Sequence, residues 1–599
     1  MRLDSVFNIV NRLDKEKRLI LAFSLVGLIS LLAKTSTPFL VSFFYQHHCG
    51  ALLNLLSGVS ISAPLASIDF YLGMVEQASL GPLSMIFSVL AFLLFSMKYL
   101  RNTNMVKFFF AIFLFLLITK WEILFFPPTG DAITGPFAEA VWLHQNNFNY
   151  IDLARQPTFI HGGAKIYLFS IYPSFLAIGM NLISNTKLFL FFNHLIALGL
   201  AAGVVVFFRS FLLKLFNQRI ALLLSVLLLS IPVFQGQAES INMDMPALFF
   251  SMWAIYALSQ QRFLRSAVLA SIAIAIKVYL SFIGFTIFGM CLLFFLVQEK
   301  EEKKLCVLFY GFIPFAFGLI QAFLLFFFLK ADSSNYAVGF FLGRKWLLTS
   351  PALYLYIFSL LFFIIFVIKK VFVSPQKNFI FFFRKYYCII ACFLATFGWF
   401  ILFGQSLFIG VRYYLQILPF FICCIAWLMM FLFKSRRVVI CLVVIFIFLA
   451  NVFSYGGPEF KQGLAYRSRV RFQSKLVKEI EKNFSTFTIA AFLHTAQALG
   501  IRELGYAQKV MDVRIYFWPS KYGGIRELKK EDIFSSDRIV WVQVVRADKS
   551  SLMFPRFDRL LSQVSYGNHR ARIFVGGMKI FLILKMSEPV IDEFEQRDH

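Results

Sequence analysis

The residues best suited to chemistry in this chain lie where long apolar runs end. Asp131, in Gly130-Asp131-Ala132, follows the run Val106 to Phe126 and the stiff pair Pro127-Pro128. Glu139 comes soon after, in Ala138-Glu139-Ala140, and the loop continues through Trp142, His144, Asp152, Arg155, His161 and Lys165. A carboxylate held at the mouth of an apolar run can act as a general base toward a hydroxyl or amine, so Asp131 and Glu139 are the catalytic candidates. His161 joins the candidates for substrate contact. The plainer alternative is that Asp131 only marks where a helix leaves the lipid.

A second group is scattered later in the chain. Asp244 lies in Gln237-Ala238-Glu239-Ser240-Ile241-Asn242-Met243-Asp244-Met245-Pro246, where Glu239 keeps a site role open. Lys277 interrupts Ala273-Ile274-Ala275-Ile276-Lys277-Val278-Tyr279, Arg344-Lys345 precedes Trp346, and Arg412-Tyr413-Tyr414 opens a late apolar run. Ammonium and guanidinium groups so placed can hold a phosphate or stabilise a departing anion. The substrate-binding candidates are therefore Asp244, Lys277, Arg344, Arg412, Tyr413 and His161. Each also has a structural alternative. Asp244 can cap a helix that starts at Pro246. Lys277 can snorkel from a helix end, and Arg412 with its tyrosines can belong to an interfacial aromatic belt.

What positions these residues follows from composition. The chain has 599 residues, 59% of them hydrophobic, and a mean hydropathy of +0.74. Apolar runs of spanning length recur from Leu19 to Phe453, which makes this an α-helical polytopic membrane protein. The first run has Arg18 before it and no small-residue cleavage site after it, so it reads as a retained span. The formal charge of +27 lies largely in short loops between spans. That is the positive-inside bias, with anionic lipid head groups as a second use, and it calls for no nucleic-acid partner. Of the eight cysteines none follows Cys441, and no C-x-x-C pair or Cys/His cluster reads as a zinc site.

Loop charge sets the sidedness. Met1 to Arg18 is basic and placed in the cytoplasm, as are the loops holding Lys98 to Lys107, Arg209 to Arg219, Lys369 to Lys385 and Lys434 to Arg437. Asp131 then faces outward. Leu188 to Phe208 runs inward only if Ile166 to Ile183, broken by Pro173 and Gly179, stays outside as an interfacial element. The alternation gives about thirteen spans, N-terminus in and C-terminus out. Arg344, Lys345 and Arg412 fall on the outside, against the positive-inside trend, which favours a functional reading of all three.

From Tyr455 to His599 the chain is soluble in character and reads as a small extracytoplasmic α/β domain. Arg471 to Phe484 is expected as an amphipathic helix, Thr486 to Phe492, Ile539 to Val545 and Ile580 to Leu584 as strands, and Ala496 to Leu504 as helical. The organisation is thus residues 1–105 as additional N-terminal spans, 106–454 as the membrane catalytic domain with an outer loop over 127–187, and 455–599 as the soluble domain.

The order of these motifs resembles the GT-C class of membrane glycosyltransferases, nearest to the protein O-mannosyltransferases and the bacterial lipid A aminoarabinose transferases. The matching stretches are Gly130-Asp131 with Ala138-Glu139-Ala140, Asp244-Met245-Pro246-Ala247-Leu248-Phe249-Phe250, Ala275-Ile276-Lys277, and Arg412-Tyr413-Tyr414-Leu415 with Pro419. They cover about Val106 to Phe453; each is short, and their order and sidedness carry the likeness. The chain departs from that class in having Ala132 after Asp131, where Asp-Glu is common, and in two spans before Val106. The resemblance implies a GT-C-like fold in a bacterial inner membrane. It also implies a polyprenyl-phosphate-linked sugar as donor and an envelope lipid, glycan or protein as acceptor. It leaves a divalent cation open, because members differ in metal use. A phosphate leaves as an anion without needing a proton, so one carboxylate base suffices. Asp131 would take the acceptor proton, with Lys277, Arg344 and Arg412 on the departing phosphate. A transporter or flippase of lipid-linked glycans would instead show internal repeats and polar residues at the midplane of several spans, and neither is evident. An envelope-glycan polymerase or ligase, or a non-catalytic scaffold, would not account for the order of loop acids and outer cations.

Overall fold

The computed structural model describes residues 81–129, 132–150, 171–277, 280–297, 301–329, 351–370, 379–403, 411–433, 465–491, 493–509, 511–515, 526–527, 539–546, 560–566 and 569–575, with a few isolated positions besides. The expected first span, the Lys330 to Ser350 loop, the last span and the Ile580 to Leu584 strand lie outside these residues apart from such isolated positions.

Helices dominate. α1 (Gly81–Phe95) passes into a π-helical turn, Ser96–Leu100, and α2 covers Met105–Lys120. Asn104 starts α2 by accepting the Lys107 N–H at 2.9 Å, a side-chain cap that satisfies one of the unpaired donors of a first turn. A second π-helical turn, Ile133–Phe137, leads into α3 (Ala138–Gln145). α4 (Ile171–Leu182) has 12 residues. At about 1.5 Å per residue it is roughly 18 Å long. α5 (Thr186–Leu212) is capped by Asn185 and packs on α2.

α6 (Gln218–Ser230) and α7 (Pro232–Glu239) meet at a bend of 63°. Pro232 causes the bend. It forces Ile231 into extended backbone, φ −69° and ψ 127°, and itself serves as the first residue of the new helix. Every residue of α7 is buried. A short turn then returns the chain into α8 (Asp244–Ser259), followed by α9 (Phe263–Ile276) and α10 (Ser281–Val297). α11 (Glu301–Leu329) packs along α10 so closely that a Cβ on Gly284 would stand 2.6 Å from the Pro314 carbonyl oxygen. α12 (Pro351–Ile368), α13 (Phe379–Phe403), a 3-10 turn (Val411–Gln416) and α14 (Leu418–Leu432) complete the helical layer.

Among the described residues, α5 is the one helix both long and apolar enough to cross a membrane, and the bent pair α6–α7 adds a second if counted as one span. α11 and α13, of 29 and 25 residues, have the length. The full span count stays an expectation.

Two groups of polar contacts lie at helix ends. In one group the Arg209 guanidinium donates to the carbonyls of Arg101 at 2.7 Å, Leu100 at 3.2 Å and Thr103 at 3.3 Å, and lies 4.4 Å over the Phe108 ring. The Tyr387 hydroxyl donates to the Ser259 carbonyl at 2.6 Å in that same group. In the other group lie the contacts of Lys120, Phe126, His194, Glu239, Asp244, Lys277 and Gln416. Every one of these bonds joins segments that loop charge assigns to a single face.

The C-terminal domain is α/β. α15 (Ala465–Asn483) buries Val470, Leu476, Val477 and Ile480 and exposes Lys475, Lys478 and Lys482, as its amphipathic pattern requires. β1 (Thr488–Ala491) leads to α16 (Leu493–Gly500), a 3-10 turn (Arg502–Leu504), β2 (Val513–Ile515), β3 (Arg526–Glu527) and β4 (Ile539–Arg546). β5 (Leu560–Tyr566) and β6 (His569–Val575) form a hairpin. The sheet order is β3-β2-β1-β4-β6-β5, parallel over the first four strands and antiparallel at β4-β6-β5.

Candidate functional site

The return between α7 and α8 is the centre of the polar end. It carries an acid at each side: Glu239 closes α7 and Asp244 opens α8. Both are buried, and each pairs with a lysine from another helix end. Glu239 Oε1 meets Lys120 Nζ, on the last residue of α2, with side chains 1% and 2% exposed. Asp244 Oδ1 meets Lys277 Nζ, on the residue that closes α9, with side chains 2% and 5% exposed. Removing either partner of such a pair strands a buried charge, at a cost of about 3–5 kcal/mol.

Further bonds fix the turn. Gln416, the last residue of the Val411–Gln416 turn, donates its side-chain amide to the Asp244 carbonyl at 2.9 Å. Asn242 donates to Asp244 Oδ2 at 3.3 Å, and its own side-chain oxygen accepts the Met243 N–H at 2.7 Å. His194, on α5, donates through Nε2 to the Phe126 carbonyl at 2.9 Å, which fixes its tautomer. Glu239 lies within electrostatic range of that imidazole. The side-chain oxygens of Gln235, Gln237 and Gln416 are buried and accept no hydrogen bond from the protein. Together these elements hold two lysines, two carboxylates and several unfilled acceptors at one end of the bundle. Such a set can orient a polar ligand through its charges and amide groups.

The candidates from the sequence fare differently. Asp244 and Lys277 are brought together, and the turn bearing Arg412 and Tyr413 is tied to them through Gln416. The side chains of Arg412 and Tyr413 lie outside the described residues, as do Asp131, His161 and Arg344 altogether. Glu139 is buried in the first turn of α3. Two structural alternatives are corrected. Asp244 does not cap a helix starting at Pro246. The helix starts at Asp244 itself with Met243 as its cap residue, because the carboxylate is engaged by Lys277 and Asn242. Lys277 does not snorkel, since its ammonium turns onto a buried carboxylate. Lys120, His194, Gln235, Gln237 and Gln416 were not singled out from sequence. Lys120 and His194 interrupt apolar runs and could have been flagged by the rule that raised Lys277. Among the described residues no group of three or more His, Cys, Asp or Glu is arranged to hold a metal ion.

The C-terminal domain reaches the same end. The Tyr506 hydroxyl donates to the Pro128 carbonyl at 2.9 Å, and Gln145 donates to Glu503 at 3.2 Å. Burial pushes the Tyr506 phenol above its usual range, so it stays a donor at any physiological pH.

This chain is similar to archaeal oligosaccharyltransferases. The crystal structure of the Archaeoglobus fulgidus enzyme in complex with Zn and sulfate matches at a TM-score of 0.39 and 12% identity, over 67% of this chain and 62% of that one. Its apo form matches at 0.40 and 9%, over 68% and 65%. The same organism's oligosaccharyltransferase AglB, in complex with an inhibitory peptide and a dolichol-phosphate, matches at 0.38 and 11%, over 68% and 64%. The chain therefore spans under two thirds of the length of these structures. No family model matches the sequence, and no curated protein does.

Proposed function

We propose that the protein is a membrane glycosyltransferase that moves a sugar from a polyprenyl-phosphate donor to an envelope lipid, glycan or protein on the extracytoplasmic face. One observation supports this reading above others. Asp244, Lys277 and the Val411–Gln416 turn belong to three different elements, and they meet at one end of the bundle. That end also receives the chain leading to Asp131, through His194 on Phe126 and Tyr506 on Pro128. In this reading Asp131 takes the acceptor proton, with Glu139 beside it in the same loop. Lys277, oriented by Asp244, stabilises the departing phosphate electrostatically, and Arg344, Arg412, Tyr413 and His161 complete the substrate contacts. A divalent cation at the loop acids is compatible with the scheme.

Mass spectrometry of envelope glycolipids and glycoproteins, with and without the gene, tests the reading. A sugar mass that disappears with the gene and returns with the wild-type chain but not with Asp131→Asn names both donor and acceptor. Accumulation of an intact lipid-linked glycan on the inner face would point to a flippase instead. A lengthened or shortened glycan chain with unchanged linkage to its carrier would point to a polymerase or ligase.

A further inference from the structure

We propose that the C-terminal domain is a positioning element for the loop acids, and that Tyr506 and Gly505 are the residues through which it acts. The proposal rests on the reading of the Pro127 to Gln145 segment as the catalytic loop. The observations come from the flanks of that loop. Pro127 and Pro128 have no N–H, so this stretch cannot be anchored through backbone donors and must be held by its carbonyls. Tyr506, buried and 378 positions away in sequence, supplies the donor to the Pro128 carbonyl at 2.9 Å.

Gly505 makes this reach feasible. Its φ of +85° lies in the left-handed region, and a Cβ there would stand 3.0 Å from Leu190 and 3.3 Å from Thr186 on α5, with Pro127 3.9 Å away. Only glycine lets the chain turn this tightly against both α5 and the loop. The far flank is held by the same domain. α16 packs on the π-helical turn Ile133–Phe137, and Glu503 accepts from Gln145 at the end of α3, the helix that carries Glu139. A single surface, α16 through Tyr506, thus grips the chain on both sides of Gly130-Asp131. An acid whose flanks are fixed spends more of its time where a base must be, and a displacement of about an ångström can cost two orders of magnitude in rate.

The test uses the full-length protein. Tyr506→Phe keeps the ring and removes the bond to Pro128, so the protein still folds. Gly505→Ala strains the backbone and pushes on Leu190. Two readouts are taken: amide hydrogen exchange of peptides within residues 126–145, and the initial rate at which the gene-dependent envelope sugar mass reappears after induction in a null strain. Tyr506→Phe is expected to raise exchange there and slow reappearance by about 2–10-fold, the occupancy change that one neutral hydrogen bond supports. Gly505→Ala moves both readouts further the same way. Expression and thermal midpoint of Tyr506→Phe stay at wild-type values, which a merely structural role would not allow alongside a slower rate. Wild-type exchange in both variants would overturn the grip. Raised exchange at an unchanged rate would overturn the positioning role. If Asp131→Asn and Glu139→Gln both support the normal rate, the glycosyltransferase reading fails instead, while the exchange comparison still decides whether the domain grips the loop.

Discussion

Breaking the Asp244–Lys277 pair offers the sharpest energetic test of the site. Both side chains are almost fully withdrawn from solvent, at 2% and 5% exposure, so water does not screen the charge left behind. Asp244→Asn keeps the shape of the side chain and the Gln416 bond to the Asp244 backbone carbonyl, yet it leaves the Lys277 ammonium without its carboxylate. Lys277→Met does the reverse. Each single change should destabilise by about 3–5 kcal/mol, the cost of an unpaired buried charge. The double variant, Asp244→Asn with Lys277→Met, removes both charges and should recover at least about 2 kcal/mol of the summed loss. Thermal midpoints of detergent-solubilised wild type, the two singles and the double give the ranking without assuming two-state unfolding. If both singles match the wild type, or if the double falls as far as the two losses added together, no buried Asp244–Lys277 pair exists. Stability and transfer separate cleanly in this cycle. A double variant that is stable yet fails to transfer sugar assigns the Asp244–Lys277 pair to the substrate.

The remaining predictions concern the reaction and the topology. Asp131→Asn should lower transfer by about 10²–10⁴-fold with little change in thermal midpoint, the usual loss on removing a general base, measured as the rate of sugar reappearance. Normal transfer in Asp131→Asn with loss in Glu139→Gln would move the base to Glu139, and Asp152→Asn serves as the control in the same loop. Single cysteines in a cysteine-free background should label with an impermeant maleimide from outside in the Asp131 loop and in the domain after Tyr455. Those in Arg209 to Arg219 should not, and outside labelling there would overturn the inward run of α5.

How much of this was legible in the sequence depended on the physical signal each residue carried. Asp244 and Lys277 stood out because charge inside apolar surroundings is expensive, and the rule that flagged them also foretold that they need partners. It did not say that they are each other's partner, since nothing in residue spacing links α8 to α9. Lys120 carried the same signal and was passed over inside its apolar run. The C-terminal end of α15 and the bounds of β1 and β4 to within two residues were readable from periodicity, whereas α15 begins at Ala465, six residues before the expected Arg471, and the β5–β6 hairpin carries its turn signal, Gly567-Asn568, between two alternating runs. The docking of Tyr506 on Pro128 was invisible, because a neutral tyrosine and a prolyl carbonyl announce no partner in sequence.

The two ion pairs around the α7–α8 turn are chemically alike but electrostatically unequal. Lys120 and Lys277 both stand at helix C-terminal ends, where the dipole favours a cation. The carboxylates differ. Asp244 opens α8, at the positive end of a helix, whereas Glu239 closes α7, at the negative end. Each dipole contribution is worth about 0.3–1 kcal/mol and they have opposite sign, so Asp244 is favoured over Glu239 by roughly 0.6–2 kcal/mol before any ion pairing. Glu239 is held at an unfavourable end with Lys120 as its ion-pair partner, and its loss relieves a repulsion that the loss of Asp244 does not. Glu239→Gln should therefore lower the thermal midpoint less than Asp244→Asn, even though Glu239 is the more deeply buried of the two. A carboxylate kept against its helix dipole stores interaction energy that a ligand can draw on, and Glu239→Gln tests that as well. If Glu239→Gln is the more destabilising change, the helix ends do not set the balance and Lys120–Glu239 is the principal structural pair of the site.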